Sequence, residues 1–211
     1  MIQADAGFAV NGAPERFLAW AEVARAAADP DRAPQGMAPT LRAEGRFRER
    51  GSTFPFGTHV AVVEVDVETG DARSIRHIAV DDCGRILNPM LVDGQVHGGL
   101  GQGIAQALFE EVVYDAAGTP LTTDLTSYRM PSAAELPSFD VAHTQTETPL
   151  NPLGAKGIGE SATIGSTPAV QNAVVDALSH LGVRHVDLPL SPERVLGAVR
   201  SATRGVEATA G

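Results

Sequence analysis

A single carboxylate, Glu160, closes the stretch Asn151 to Gly165, NPLGAKGIGESATIG, in which Gly154, Gly157, Gly159 and Gly165 surround one basic residue, Lys156. Glycines at this density let backbone N–H groups approach a ligand closely and admit backbone angles that other residues avoid. A glutamate delivered at the end of such a loop is a candidate general base. The stretch is not a nucleotide-triphosphate loop, because Lys156 precedes Gly157 and no Ser or Thr follows a lysine. On composition alone, a flexible surface loop with a solvated glutamate and a ligand cradle account for it equally well.

A second glycine cluster, Gly94, Gly98, Gly99, Gly101 and Gly103, lies within Val92 to Glu111, whose Val96, Leu100, Ile104, Ala107 and Leu108 recur at helical spacing. Each helical glycine costs about 1 kcal/mol relative to alanine. Close packing on a neighbour, or a ligand against bare backbone, is needed to offset that. The spacing G-x-G-x-G is not the full dinucleotide fingerprint, and no clean strand precedes it. Gln95, Gln102 and Gln106 add amide groups that both donate and accept, which suits a heteroaromatic ligand edge or a metal oxo group. The six histidines show no metal-ligand spacing. Cys83 reads as a small packed residue at a strand end, and Ser161 lacks the context of a hydrolase nucleophile.

The elements that must position these residues follow from periodicity. Thr58 to Val67 alternates His59, Ala61, Val63, Val65 and Val67 against a second face, and Ala72 to Val80 returns as its hairpin partner after the turn at Glu68-Thr69-Gly70-Asp71. Asp81-Asp82-Cys83-Gly84 reads as a loop leaving that hairpin. Gly7 to Val10 is a short strand, Pro14 to Ala27 a helix and Asp29 to Pro39 an exposed connection. Val112 to Tyr114 with Gly118 to Leu121 suggests a further hairpin, and Asp140 to Thr148 a strand into the glycine loop. Ser166-Thr167-Pro168 carries a helix-start signature, with the helix ending at Gly182. Pro192 opens a last helix through Val199. The class is α/β, of an α+β kind. It divides into an amino-terminal segment (1–50), a central region (51–200) holding the hairpins and glycine-rich helices, and a frayed tail (201–211).

With 211 residues, 43% apolar and 20% charged, the chain has the make-up of a globular protein. A net charge of −10 argues against a nucleic-acid surface. One cysteine excludes an internal disulfide and a four-cysteine iron–sulfur site within this chain, and fits a reducing, cytoplasmic setting. The start MIQADAGFAVNG has neither the basic nor the apolar region of a secretory leader, and no apolar run approaches the length of a membrane span.

Four ordered blocks resemble the carboxy-terminal part of the molybdenum-binding large subunit of the xanthine dehydrogenase, aldehyde oxidase and aerobic carbon monoxide dehydrogenase family. They are FPFGTHVAVVEVDVETGDARSIRHIAVDDCGRILNPMLVDGQVHGGLGQGIAQALFEE, TTDLTSYRMPSAAELP, NPLGAKGIGESATIGSTPAVQNAVVDAL and LPLSPERVLGAV, running from about Phe54 to Val199. The resemblance implies that the region 51–200 is a second molybdenum-cofactor-binding region. It also implies hydroxylation of a carbon centre (an aldehyde, an N-heterocycle or, in a copper-dependent variant, carbon monoxide) with water as oxygen source. In that chemistry a glutamate takes the proton of Mo–OH, and Glu160 falls on this residue. Partial burial would raise its pKa towards that task. Lys156, Gly157, Ile158 and Gly159 match the loop whose backbone amides contact the pterin, and Gln95 and, more weakly, Gln102 match hydrogen-bonding glutamines. The implied cofactor is the molybdenum–pterin group in its cytosine dinucleotide form, with FAD and a 2Fe–2S cluster on partner subunits.

Family members carry several hundred residues ahead of the point where this chain begins, including another glycine-rich cofactor segment, the substrate-facing loop and, in some, a copper-bearing cysteine. Cys83 is not that cysteine. The expectation is a split subunit, a truncated product or a fragment that supplies Glu160 and one wall of a site, with the remainder of the large subunit as partner. The rival expectation is a non-catalytic remnant without cofactor.

Overall fold

A computed structural model describes residues 2–32, 35–36, 39–42, 44–48 and 50–209 of the chain. They form two compact units, Met1–Arg48 and Glu49–Gly211. The first is a three-stranded antiparallel sheet, β1 (Ile2–Ala4), β2 (Gly7–Val10) and β3 (Ala13–Ala19), followed by helix α1 (Trp20–Ala28). The helix expected over Pro14 to Ala27 therefore starts six residues late. The turn at Asn11-Gly12 sends the chain straight back along β2, pairing Phe8 with Leu18 and Ala9 with Phe17, and this ladder overrides the helical spacing of the apolar residues. The helix begins where Glu22 Oε2 accepts the Ala19 N–H at 3.0 Å and Trp20 meets Phe8 edge-on at 4.8 Å. Within the connection Asp29 to Pro39, residues 33, 34, 37 and 38 lie outside the described residues.

In the second unit the expected hairpin is present as β4 (Phe56–Val65) and β5 (Ala72–Asp82). Asp66 Oδ1 accepts the N–H groups of Glu68 and Thr69 at 2.8 and 3.2 Å and so shapes the turn. The anticipated faces hold as far as Val65: His59, Ala61, Val63 and Val65 turn inward while Val60 and Val62 are exposed, but the strand ends there and Val67, expected on the inward face, is exposed in the turn that follows. After helix α2 (Pro89–Leu108), strand β6 (Phe139–Thr144) pairs parallel with β5, so the sheet order is β4-β5-β6. This strand is shorter than the expected Asp140 to Thr148. Parallel pairing brings the carboxyl ends of β5 and β6 to the same edge, with Asp82 opposite Thr144. Loops leaving such an edge are the usual place for a ligand in open α/β sheets.

Helix α3 (Ser161–Ala177) follows, then a 3-10 turn (Ser179–Leu181) ended by left-handed Gly182, then helix α4 (Pro192–Thr209). The start of α3 corrects the reading of Ser166-Thr167-Pro168 as a cap. All three lie inside the helix, and Ser166 and Thr167 are buried. The Ser166 and Thr167 hydroxyls do not cap; they face the Gly99 and Gly103 carbonyls of α2 at 3.4 and 3.3 Å. The expected hairpin after α2 reduces to one bridge, Tyr114 with Pro120. The core forms where Ile104, Ala107 and Leu108 of α2 meet Val170, Val174 and Leu178, closed by Val183, Val186, Leu190 and Val195. Each Val, Leu or Ile among them contributes roughly 1.5–3 kcal/mol by leaving water. Among the described residues no helix is long and apolar enough to cross a membrane.

Candidate active site at the glycine loop

Helix α2 starts because Asn88 caps it, its Oδ1 accepting the Leu91 N–H at 3.2 Å with Pro89 in the first turn. Its glycines divide into two kinds. A Cβ on Gly103 would overlap Ser166 Oγ, and one on Gly99 would stand 2.9 Å from Ala162 Cβ. Thr163 Oγ1 and Thr167 Oγ1 donate to the Gly99 and Gly103 carbonyls at 3.2 and 3.3 Å. These two glycines serve the packing of α3. Gly94 and Gly98, by contrast, are exposed and a Cβ on either would meet nothing within 4 Å.

The loop ahead of α3 is fastened to the end of β5. Gly84 and Gly154, both left-handed (φ 67° and 69°), stand so close that a Cβ on Gly84 would overlap the Gly154 carbonyl. The Arg85 N–H donates to the Gly154 carbonyl at 3.0 Å, and the Lys156 N–H to the Cys83 carbonyl at 2.7 Å. The Lys156 ammonium is buried, donates to Asp82 Oδ1 at 3.1 Å and lies 4.4 Å from the Phe56 ring centre. The N–H and the ammonium of Lys156 are thus both engaged within the chain, whereas the resemblance assigns its amide to the cofactor.

Asp82 is fully buried and also accepts from the Gly84 N–H (2.8 Å) and Thr144 Oγ1 (3.0 Å). Burial opposes its charge, but the N–H groups of Gly84 and Thr146 and the Lys156 ammonium outweigh it and hold the carboxyl below the usual carboxylate range. Its neighbour Asp81, on the other face of the strand, accepts from Ser161 Oγ at 2.6 Å and lies 3.3 Å from His59 Nε2. Burial again resists ionisation, and His59 and Ser161 again hold the carboxyl low. His59 Nδ1 is 3.3 Å from His77 Nε2. Burial, then the charge of His59, pushes His77 down to about 4. Ser161 touches the aspartate and not a histidine, so this is no serine-nucleophile triad. Cys83 is buried, and burial pushes its thiol up, with Asp82 and Asp81 adding to the effect.

From Gly157 to Glu160 the chain is open. Gly157, Gly159 and Glu160 are exposed, Ile158 is half-buried, and none of their N–H groups has a backbone acceptor among the described residues. Gly159 and Ile158 line a cavity of about 440 Å³ together with Gln95, Leu91, Asn88 and Arg85. Gln95 Oε1 lies 4.0 Å from where a Cβ on Gly159 would be. Gln102 is two turns further along α2, where its Oε1 lies 3.1 Å from Thr163 Oγ1, and it lines a different cavity with Gln106 and Tyr128. Another cavity of about 450 Å³, beside Ser74, Phe109 and Arg129, holds no candidate residue. Glu160 precedes α3 with its carbonyl accepting the Ile164 N–H at 3.1 Å. The described residues do not supply the partial burial that the base reading calls for. Sequence reading missed Asp81, Asp82 and Ser161 as site-forming residues. The signal available was the alternation of β5, which continues to Asp82.

A family model described as a molybdopterin cofactor-binding domain matches residues 1–137. The carbon monoxide dehydrogenase large chain of Hydrogenophaga pseudoflava is 40% identical over 188 residues, covering 89% of this chain and 23% of that protein. The nicotine 6-hydroxylase large subunit of Paenarthrobacter nicotinovorans is 39% identical over 196 residues, covering 92% and 24%. The solved quinoline 2-oxidoreductase of Pseudomonas putida 86 superposes with a TM-score of 0.83 at 40% identity, covering 94% of this chain and 25% of that one. The chain spans about a quarter of the length of these relatives.

Proposed function

The chain belongs to the family of molybdopterin-dependent oxidoreductases that includes carbon monoxide dehydrogenase large chains and xanthine dehydrogenase molybdenum-binding subunits, and from that premise we propose that it forms one wall of a molybdenum hydroxylase active site. The observation that carries the reading is the run of backbone N–H groups, 157–160, that have no backbone acceptor among the described residues, beside a cavity that also holds Gln95. Such a run suits the oxygen- and nitrogen-rich edge of a pterin, and a charged or phosphate-bearing group is also welcome at clustered amides. Gly157, Ile158 and Gly159 would hold the group through the backbone, Gln95 through its amide, and Gln102 further along α2. When bound, the molybdenum–pterin group supplies the oxidising centre for hydroxylation with water as oxygen source.

Glu160 acts as the general base, accepting at its carboxylate oxygens the proton released from the attacking hydroxyl. In this reading the water-excluding side of the site comes from the remainder of the large subunit, which accords with the exposure of Glu160 in this chain. Leu87, Met90, Leu91 and Ile164 are exposed apolar side chains near this edge, and a cluster of that kind marks a surface that another protein segment covers. The substrate is a small molecule with an oxidisable carbon: an aldehyde, an N-heterocycle or carbon monoxide. The cofactor form is the cytosine dinucleotide, electrons leave through FAD and 2Fe–2S partner subunits, and the setting is cytoplasmic.

The exposure of Glu160 also favours a second reading, a non-catalytic domain that acts through protein contacts without cofactor. Co-expression with the amino-terminal remainder of a related large subunit, followed by molybdenum and pterin analysis of the purified complex, separates the two. Stoichiometric molybdenum supports the wall of an active site; a stable complex devoid of it supports the second reading.

A further inference from the structure

We propose that Asp81 and Asp82 are positioning residues that pin the two ends of the segment 157–160, so that its free amides and Glu160 are presented in one geometry. The inference rests on the reading of that segment given above, and it concerns side chains that touch neither cofactor nor substrate. Successive strand residues point to opposite faces. The last two residues of β5 therefore reach in different directions, Asp82 to Lys156 just before the segment and Asp81 to Ser161 just after it. Four residues lie between the two anchors. Those four are mostly exposed and their N–H groups have no backbone acceptor among the described residues, whereas both carboxylates are buried.

Two adjacent buried carboxylates are an expensive way to stabilise a fold, since apolar residues of similar volume do as well or better. What they provide is directional fixing. Asp82 is itself fixed by Gly84 and Thr144, and Lys156 is sandwiched between Asp82 and Phe56. On the other side His59 lies against Asp81 and against Gly165 in the first turns of α3: its ring atoms stand 2.7–2.8 Å from where a Cβ on Gly165 would be. Each anchor is thus supported by a second set of contacts, the arrangement that holds a reacting group to within a fraction of an ångström. Titratable groups facing the pair are His59 and His143 for Asp81, with His77 behind His59, Lys156 for Asp82, and the Cys83 thiol beside both.

Hydrogen exchange on the chain tests this at the bonded amides that bracket the segment, Lys156 (to Cys83) and Ile164 (to Glu160). Asp82→Asn should speed exchange at Lys156, and Asp81→Asn at Ile164, by ~10-fold or more, with the amides of Leu100 and Ile104 in α2 unchanged. Unchanged exchange at the brackets, or an equal rise in α2, would overturn the proposal. Because either variant loses stability, the neutral pair Asp82→Asn with Lys156→Gln serves as the second arm. It should recover most of the melting temperature while exchange at position 156 stays fast; recovery of slow exchange would show that shape alone holds the loop and would overturn the clamp. In the assembled enzyme the neutral pair should lower kcat ~10-fold with KM unchanged, and a rise in KM alone would count against positioning. Glu160→Gln in the same assembly addresses the base itself. Full turnover there would remove the base reading and leave the exchange result standing.

Discussion

Two regions of this molecule are equally rich in glycine and are held together by opposite means. At the crossing of α2 and α3, Gly99 and Gly103 exist to be filled: Ala162 and Ser166 occupy the space their missing side chains leave, and threonine hydroxyls take the carbonyls. At the segment 157–160, a Cβ on Gly157 would meet nothing within 4 Å, and the backbone is held at its ends by buried charge. Glycine density alone therefore does not distinguish a packing site from a ligand site. The neighbours of each absent Cβ do.

The comparison breaks most visibly at Gly103. Gly103→Val should cost about 3 kcal/mol or more by overpacking against Ser166, read as a lower urea midpoint; a midpoint within error of the parent would show that the crossing is slack. Acid should act on the other region. In the folded chain His77 is pushed down to about 4 from an ordinary 6.5, so between those values the unfolded chain binds a proton that the folded chain refuses. Stability is therefore fully present above pH 6.5 and falls on acidification to about pH 4, by on the order of 3 kcal/mol. Asp81 and Asp82, whose folded-state affinities for protons are lowered, add stability that is present above the ordinary carboxylate range and is lost as pH falls below it. Denaturant titrations at pH 7, 5 and 4 check this, and His77→Gln should flatten the upper limb.

Smaller effects sharpen the contrast within α2 itself. Gly98→Ala, in open space on an exposed helical face, should stabilise the chain by about 1 kcal/mol, a change of sign from Gly103. Gly157→Ala should leave stability within about 0.5 kcal/mol yet lower the molybdenum content of the assembled subunit, because a methyl group stands where the cofactor is proposed to approach. Unchanged molybdenum would place the cradle elsewhere.

Much of the scaffold was legible in the sequence. The alternation from His59 to Val65 gave the buried face of β4, and Val96, Leu100, Ile104, Ala107 and Leu108 gave the buried face of α2, because one-sided burial writes its period into the chain. The β3 strand was not legible, since Phe17, Trp20, Val23 and Ala24 satisfy a helical spacing until the ladder with β2 is known. Nor was the start of α3: Ser166 and Thr167 carry cap chemistry, but their hydroxyls serve a partner helix more than sixty positions away. At the proposed site, Glu160 and the loop glycines stood out by residue type and spacing, and their cofactor roles, like that of Gln95, come from the resemblance. The aspartates were missed because Asp-Asp-Cys-Gly reads as a turn, while their partners lie 74 and 80 positions downstream. Charge buried by tertiary contact has no local signature.

The most direct test of the account is turnover of Glu160→Gln in the enzyme assembled from this chain, the remainder of the large subunit and its electron-accepting partners. Molybdenum should be retained and kcat should fall by at least ~100-fold, the share that a positioned base contributes. Molybdenum-loaded enzyme turning over at the parent rate would contradict it.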